Sequence, residues 1–306
     1  MSITEPPALV SIIIPCFDGE KLVAEAIQSA LDQTYPNKEV IVIDDGSTDG
    51  SLDVIKSFGD QIRWETGPNK GACAARNRGL KLARGAWIQF LDADDLLHAD
   101  KLEKQMPVCL REAPRIVYCG REVVPVEPSE DPREFALVKI IDTCTPVYQA
   151  STLRAVGGYR EGLSCAQDYE LHLRLALDGA SFARMEDVLV NKRRQASSVS
   201  SDSTKVLEQF RALWWEAHAT MEKRGLLTDT RRRALAGRMA GAGRAYLRHG
   251  RPGEARACFA DARRMDPGGG IPQAYSPATR LMRALVGAQV TERLVVLQRR
   301  AMGRSF

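Results

Sequence analysis

The chain has 306 residues, of which 44% are hydrophobic and 27% charged, and these ordinary values exclude a disordered, collagen-like or disulfide-stapled protein. The length predicts two domains. The net charge of +4 is uneven, because residues 206–306 carry 19 lysines and arginines against 8 acidic residues, which indicates either a solvated helical surface or contact with an anionic partner.

The first 120 residues alternate between strand and helix patterns. Apolar runs predict strands at residues 9–14, 40–43, 62–64 and 87–91, and helical spacing predicts helices at 22–31, 53–58 and 71–83. Strands separated by helices indicate a mainly parallel, Rossmann-like α/β sheet flanked by helices. Ligands of such sheets bind beyond the carboxyl ends of the strands.

The second half of the chain divides at a serine-rich stretch, residues 197–203. A helix is predicted over 167–177 before it. Helices are predicted over 206–224, 231–249, 253–265 and 277–302 after it, and residues 240–267 resemble either a plain helical hairpin or one tetratricopeptide-like pair. We therefore expect one domain at 1–203, with halves at about 9–120 and 121–203, and an α-helical C-terminal region at 204–306.

Carboxylates follow two of the predicted strands. Asp44 and Asp45 come after the second strand, and Asp92, Asp94 and Asp95 come after the fourth. Such residues can simply terminate strands and cap helices. Clustered carboxylates repel one another, however, and oxygen ligands suit magnesium or manganese together with substrate phosphate. The pair of clusters favours a site that binds phosphate and metal.

Five motifs occur in a specific order. They are SIIIPCFD at 11–18, QTYP at 33–36, IDDGSTD at 43–49, GACAARN at 71–77 and LDADD at 91–95. Together they resemble the family 2 glycosyltransferases, which have the GT-A fold. GGY at 157–159 and QDY at 167–169 extend the resemblance, which covers roughly residues 9–200.

The resemblance implies a site for a nucleotide-sugar. Pro15 and Phe17 would line the base pocket, Glu20 would lie near the ribose, and Asp45 would accept a hydrogen bond from the base. Arg76 would hold the nucleotide or its diphosphate. Asp92 would face the ribose or the sugar.

The resemblance also implies a metal ligand and a catalytic base. Asp94 would bind Mn²⁺ or Mg²⁺, with Asp95 as a lesser candidate, and Asp168 would take the proton of the acceptor hydroxyl. Asp168 is alternatively an ordinary residue of a first helical turn. Gln167 stands where the family often has Glu, and Gln195 where it often has His. Arg193 is expected either to contact phosphate or to lie in a solvated loop.

The predicted function is inverting, metal-dependent transfer of a sugar, first of all from a UDP-sugar, to a glycan or other hydroxyl acceptor, as in polysaccharide biosynthesis. One alternative is a non-catalytic interaction protein with a helical docking tail, and another is a sugar nucleotidyltransferase. No nucleic-acid partner is expected. The scattered cysteines, and the lack of a signal peptide or long apolar run, predict a cytoplasmic protein, with peripheral membrane contact or homo-oligomerisation through the helical tail as further expectations.

Overall fold

The computed structural model describes residues 7–111, 115–120, 131–138, 141–193 and 203–268. The chain forms two compact units, Met1–Ser198 and Val199–Phe306. The first contains the sheet and the second contains helices.

Seven strands form the central sheet in the order β3-β2-β1-β4-β7-β6-β8. Their bounds are β1 Val10–Cys16, β2 Lys38–Asp44, β3 Arg63–Thr66, β4 Trp87–Phe90, β6 Ile116–Gly120, β7 Pro146–Gln149 and β8 Phe182–Val188. Strands β3, β2, β1 and β4 are mutually parallel, and β6 is parallel to β8. Strand β7 runs antiparallel to both of its neighbours. The predicted mainly parallel α/β sheet is confirmed.

The described residues of the first unit also form seven helices. Their bounds are α1 Val23–Leu31, α2 Ser51–Lys56, α3 Ala72–Leu82, α4 Lys101–Arg111, α5 Pro132–Val138, α6 Ala150–Ala155 and α7 Gln167–Leu177, and a 3-10 turn spans Gly59–Gln61. A separate two-stranded sheet pairs β5 (Asp95–Leu97) with β9 (Val190–Lys192) in antiparallel register, with Asp95 opposite Lys192. This small sheet joins the acidic turn after β4 to the end of the domain.

Strand β1 reads as a continuous apolar run because both faces of the sheet are covered. Ile12 and Ile14 enter one core cluster and Ile13 enters the other, as the alternation of side chains along a strand requires. Helix α3 lies close to this strand at Gly79, where an added Cβ would overlap the Ile13 side chain. The close approach brings the amino end of α3 to the carboxyl edge of the sheet.

The second unit contains three described helices, α8 Ser203–Lys223, α9 Asp229–Arg248 and α10 Pro252–Met265. They confirm the helices predicted at 206–224, 231–249 and 253–265. Helices α9 and α10 pack together, with the Phe259 ring against Gly243, in agreement with the hairpin interpretation. The helix predicted at 277–302 lies outside the described residues, and the domain boundary at residue 203 stays a prediction. Among the described helices, none has the length and apolarity needed to cross a membrane.

Candidate active site at the carboxyl edge of the sheet

The loops that follow β1 and β2 are tied to each other by hydrogen bonds. The amide of Asp18 donates to Ser47 Oγ at 3.0 Å, and the amide of Thr48 donates to Asp18 Oδ1 at 2.7 Å. The amide of Glu20 donates to Asp49 Oδ2 at 3.1 Å. These bonds hold the two loops as one wall at the carboxyl edge of the sheet.

The three predicted nucleotide residues of the first loop differ in exposure. Pro15 is buried inside β1, whereas Phe17 is 50% exposed and Glu20 is exposed. A large aromatic side chain left half in solvent at a strand end is available to stack on a planar ligand. The described contacts do not connect Phe17 or Glu20 to the residues that are predicted to bind the diphosphate or the metal, or to the predicted catalytic base, Asp168.

Asp45 anchors the start of helix α3. Its carboxylate accepts hydrogen bonds from the amide of Lys70 at 3.1 Å and from the amide of Gly71 at 2.7 Å. Gly71 has a φ of 88°, a conformation that favours glycine, and this turn aims both amides at the carboxylate. The carboxylate is buried and already accepts hydrogen bonds from these backbone amides. A nucleotide base that donates a hydrogen bond to Asp45 would therefore share the same oxygens.

Arg76 connects Asp92, which is predicted to bind the donor, to the start of the helix that carries the predicted catalytic base. Its guanidinium donates to Asp92 Oδ1 at 2.7 Å and to Gln167 Oε1 at 3.0 Å, and it lies 5.0 Å from the centroid of the Tyr159 ring. Only 7% of the side chain is exposed. Arg76 Nε is buried without a hydrogen-bond partner in the described structure. The guanidinium is thus fixed between the end of β4 and the start of α7.

The acidic turn after β4 contains three carboxylates in different environments. Burial by itself would raise the pKa of Asp92, but the charge of Arg76 and then that of Lys192 hold the pKa of this carboxyl below its usual value. Burial and the nearby charge of Asp92 raise the pKa of Asp94. Burial also raises the pKa of Asp95, although Lys192 opposes the shift.

Asp168 lies at the start of α7 with both carboxylate oxygens held. The hydroxyl of Thr143 donates to Oδ2 at 2.7 Å, and the hydroxyl of Tyr159 donates to Oδ1 at 3.0 Å. Burial raises the pKa of Asp168, and Arg76 and the Thr143 bond only partly oppose this shift. An oriented carboxylate with a raised pKa is suited to accept a proton near neutral pH.

A short segment that no sequence motif marks, residues 142–145, contacts two of the acidic side chains and Lys192. Asp142 Oδ1 lies 2.8 Å from Lys192 Nζ, Thr143 bonds Asp168, and the Cys144 thiol donates to Asp95 Oδ2 at 3.2 Å. The segment carries no local motif. Its position follows from the strand β7 that begins directly after it.

The residues that flank the predicted base have other partners. Glu170, two positions on, is buried in ion pairs with Arg174 at 2.6 Å and Arg160 at 2.9 Å. It is therefore not available as a second base. Gln167 stands at the position where the family often has Glu, and its side-chain oxygen accepts a hydrogen bond from Arg76.

The expectation that Arg193 lies in a solvated loop is wrong, whereas its contact with phosphate stays a prediction. Its Nε donates to the carbonyl oxygen of Asp94 at 2.7 Å, and its other nitrogens bond the carbonyl oxygen of Leu22 at 3.0 Å and Glu25 Oε2 at 2.9 Å. Arg193 therefore holds the acidic turn in place, and its donors are already engaged. Gln195, the residue at the missing His position, lies outside the described residues.

A divalent cation fits Asp94 on chemical grounds. This carboxylate is partly exposed and forms no ion pair with any described residue. Burial and the charge of Asp92 raise its pKa, and the more distant charges of Lys192 and Arg193 only partly oppose this shift, so a cation bound directly to Asp94 would stabilise the charged carboxylate. Hard oxygen ligands of this kind suit Mg²⁺ or Mn²⁺. Ligand atoms of Asp92, Asp95 and Cys144 also lie within 4.8 Å of one another, but Lys192 already pairs with the carboxylates of this second group.

Comparison with known proteins gives a consistent result. The sequence profile of "Glycosyl transferase family 2" matches residues 11–157. A protein of Rickettsia typhi named an uncharacterized glycosyltransferase is 33% identical over 224 residues, which cover 67% of this chain and 70% of that protein. The Escherichia coli enzyme WfgD, named a UDP-Glc:alpha-D-GlcNAc-diphosphoundecaprenol beta-1,3-glucosyltransferase, is 41% identical over 118 residues, covering 38% of this chain and 47% of WfgD.

A solved structure supports the fold over almost the whole chain. The crystal structure of S. aureus TarS 1–349 in complex with UDP-GlcNAc matches 97% of this chain and 93% of its own, with a TM-score of 0.70 and 18% sequence identity. This likeness confirms the expected GT-A type of fold with C-terminal helices. The profile match and the one-third identity over most of both proteins show that the chain belongs to glycosyl transferase family 2 and is a glycosyltransferase.

Proposed function

We propose that this glycosyltransferase moves a sugar from a nucleotide diphosphate, first of all UDP, to a hydroxyl acceptor with inversion at the anomeric carbon. The observation that carries the proposal is the pair formed by Asp168 and the acidic turn after β4. Arg76 donates hydrogen bonds both to Asp92 in this turn and to Gln167, the residue directly before Asp168. A proton acceptor is thereby fixed beside a turn suited to bind a metal and a diphosphate.

The reaction needs one displacement step. The acceptor oxygen attacks the anomeric carbon while Asp168 takes the hydroxyl proton, and the electrons of the breaking carbon–oxygen bond go to the diphosphate. A single displacement from an α-linked donor gives a β-linked product. The name of WfgD, a UDP-Glc beta-1,3-glucosyltransferase, supports a β-linked product for the present enzyme as well.

A UDP-sugar is the proposed donor. Support comes from two similar proteins, because the name of WfgD includes UDP-Glc and the TarS structure contains UDP-GlcNAc. In this chain the half-exposed Phe17 would stack on the base, with Pro15 behind it, and Asp45 would add a hydrogen-bond acceptor. Glu20 would lie near the ribose.

A divalent cation, Mn²⁺ or Mg²⁺, is the proposed cofactor, with Asp94 as its protein ligand. When bound, such an ion neutralises negative charge on the departing diphosphate. Asp92 would face the ribose or sugar while Arg76 holds it in its charged form. Arg76 would stabilise the diphosphate through its position behind Asp92.

The acceptor is proposed to be a glycan or another hydroxyl compound, in keeping with polysaccharide biosynthesis. The acceptor in the name of WfgD is alpha-D-GlcNAc-diphosphoundecaprenol. For this chain we further propose a cytoplasmic transferase domain at 1–203, and a helical region at 204–306 that contacts a membrane surface or a second copy. Flotation with anionic liposomes at low salt tests the membrane contact, and absence of binding would remove it.

The function is tested by product analysis with a panel of nucleotide-sugars in manganese. Release of UDP, together with a glycosylated acceptor of β configuration, is expected. Release of a nucleoside triphosphate with consumption of a sugar phosphate would instead indicate a nucleotidyltransferase. No turnover and no nucleotide binding across the panel would favour the non-catalytic alternative.

A further inference from the structure

The ammonium group of Lys192 lies among three carboxylates that come from two separate parts of the chain. Its Nζ atom is 2.8 Å from Asp142 Oδ1, 3.1 Å from Asp95 Oδ2 and 4.0 Å from Asp92 Oδ2. We propose that Lys192 is a resident cation of the active site, which confines the divalent metal to Asp94 and gives the donor diphosphate an affinity that does not require metal.

The backbone fixes Lys192 in this position. Strand β9 pairs with β5 so that Lys192 stands opposite Asp95. The next residue, Arg193, is bonded to the carbonyl oxygens of Leu22 and Asp94. A lysine held by strand pairing on one side and by a bonded arginine on the other has little freedom to leave its carboxylates.

The same position decides where a metal ion can bind. Asp92, Asp95 and Cys144 are close enough to share a cation, but Lys192 supplies a positive charge to this group already. The Cys144 thiol donates its proton to Asp95, so it is in the protonated form that does not bind metal well. Asp94 has neither a lysine nor an arginine paired with it among the described residues. The single divalent ion is therefore directed to Asp94.

Lys192 also matters for an incoming diphosphate. Without it, Asp92 and Asp95 would lose a counter-charge, and Arg76, which pairs with Asp92, would offset only part of their negative charge. Removing one positive charge near a bound diphosphate, in an effective dielectric of about 20, should weaken binding on the order of tenfold or more. The side chain is 29% exposed, so a ligand at the sheet edge experiences this charge.

Loss of the Lys192 charge should have opposite effects on the binding of a cation and of an anion. Lys192→Met should bind Mn²⁺ about tenfold more tightly in the absence of nucleotide, because the carboxylates lose their counter-charge. The same variant should bind UDP about tenfold more weakly in EDTA. Lys192→Arg keeps the charge and should remain close to the wild type in both measurements.

Lys104→Met is the matched control. Lys104 Nζ also pairs with two carboxylates, Asp100 at 2.9 Å and Asp187 at 3.3 Å, but these lie directly before α4 and near the end of β8. We expect no change in either affinity for this variant. Calorimetry with UDP, and electron paramagnetic resonance of free Mn²⁺, measure the two affinities, and thermal melting shows that each variant is folded.

Several outcomes would overturn the proposal. They are unchanged affinities in folded Lys192→Met, a parallel fall in both affinities, or a wild type that binds UDP only with metal. If Lys192→Met does not fold, the double variant with Asp142→Asn removes one charge of each sign and so restores the balance of charge. A UDP affinity of this double variant in EDTA below one tenth of the wild type's would contradict the reasoning.

The measurement of UDP affinity depends on the proposed function, whereas the measurement of Mn²⁺ affinity does not. A wild type that binds Mn²⁺ but no nucleotide-sugar would refute the proposed function, and the Mn²⁺ comparison would still decide the metal-directing part.

Discussion

The change of Asp168 to Asn tests the proposed base with little disturbance of the structure. Thr143 and Tyr159 each donate a hydroxyl proton to one carboxylate oxygen. An asparagine oxygen can accept one of these bonds, and its amide can donate to the other hydroxyl oxygen. Folding should therefore lose only about 1 kcal/mol. Transfer should fall by about 10²–10⁴-fold, the usual contribution of a general base, which corresponds to about 3–5 kcal/mol of transition-state stabilisation.

The assay is sugar transfer as a function of pH, alongside calorimetry of UDP binding. The base works in its charged form, so activity should rise with pH through the pKa of Asp168. Because burial raises that pKa, the acid limb should lie above the value of about 3.9 for an ordinary aspartate. The limb should be lost in Asp168→Asn, and UDP affinity should hardly change.

Asp178→Asn is the control, since it removes an exposed carboxylate at the other end of the same helix and should leave transfer unchanged. Retained transfer and an unaltered acid limb in Asp168→Asn would refute the assignment of this residue as the base. Loss of UDP binding together with a large fall in melting temperature would mean that Asp168 acts mainly as a structural residue of the first helical turn.

Three further changes test other parts of the site and fold. Asp94→Ala should abolish the gain in UDP affinity that Mn²⁺ provides. The metal assignment would be contradicted if wild type and variant bound UDP equally well in EDTA and Mn²⁺ raised the UDP affinity of neither. Arg76→Met should lower the free energy of unfolding by about 3 kcal/mol, because it leaves the carboxylate partner of a mostly buried ion pair without its counter-charge; an unchanged denaturation midpoint would refute this. Gly79→Ala should cost about 1–3 kcal/mol by overpacking against Ile13, whereas Gly253→Ala, with open space around it, should cost nothing measurable by thermal melting.

Local signals were sufficient to predict the donor side of the sheet. Strand β1 is a continuous apolar run because both of its faces are buried, and the Asp-Asp-Gly-Ser turn after β2 marks a strand end. The acidic turn after β4 was recognised because three carboxylates directly follow a buried strand. The pairing of Arg76 with Asp92 agrees with the donor assignment for both residues, although their contact with a nucleotide stays a prediction.

The contacts of the acceptor side could not be predicted in the same way. Nothing in the local sequence around Asp142 or Lys192 indicates that the two meet, because the contact depends on β9 pairing with β5 and on the turn before β7. The expectation of a solvated loop at Arg193 was wrong for the same reason, since a basic residue in a charged stretch normally lies in solvent. Side chains whose partners are far away in sequence need the tertiary structure before they can be assigned.

The pairing of β5 with β9 has a consequence for how the enzyme is made. The acidic turn is synthesised early, but the strand and the arginine that hold it are added only at the end of the domain. A nascent chain that has just completed β4 therefore carries the acidic turn without its fixed geometry or its lysine counter-charge. The acidic turn can therefore reach its final geometry only after β9 has been synthesised, and we expect a fragment that stops short of β9 to bind a nucleotide-sugar less well than the full domain does.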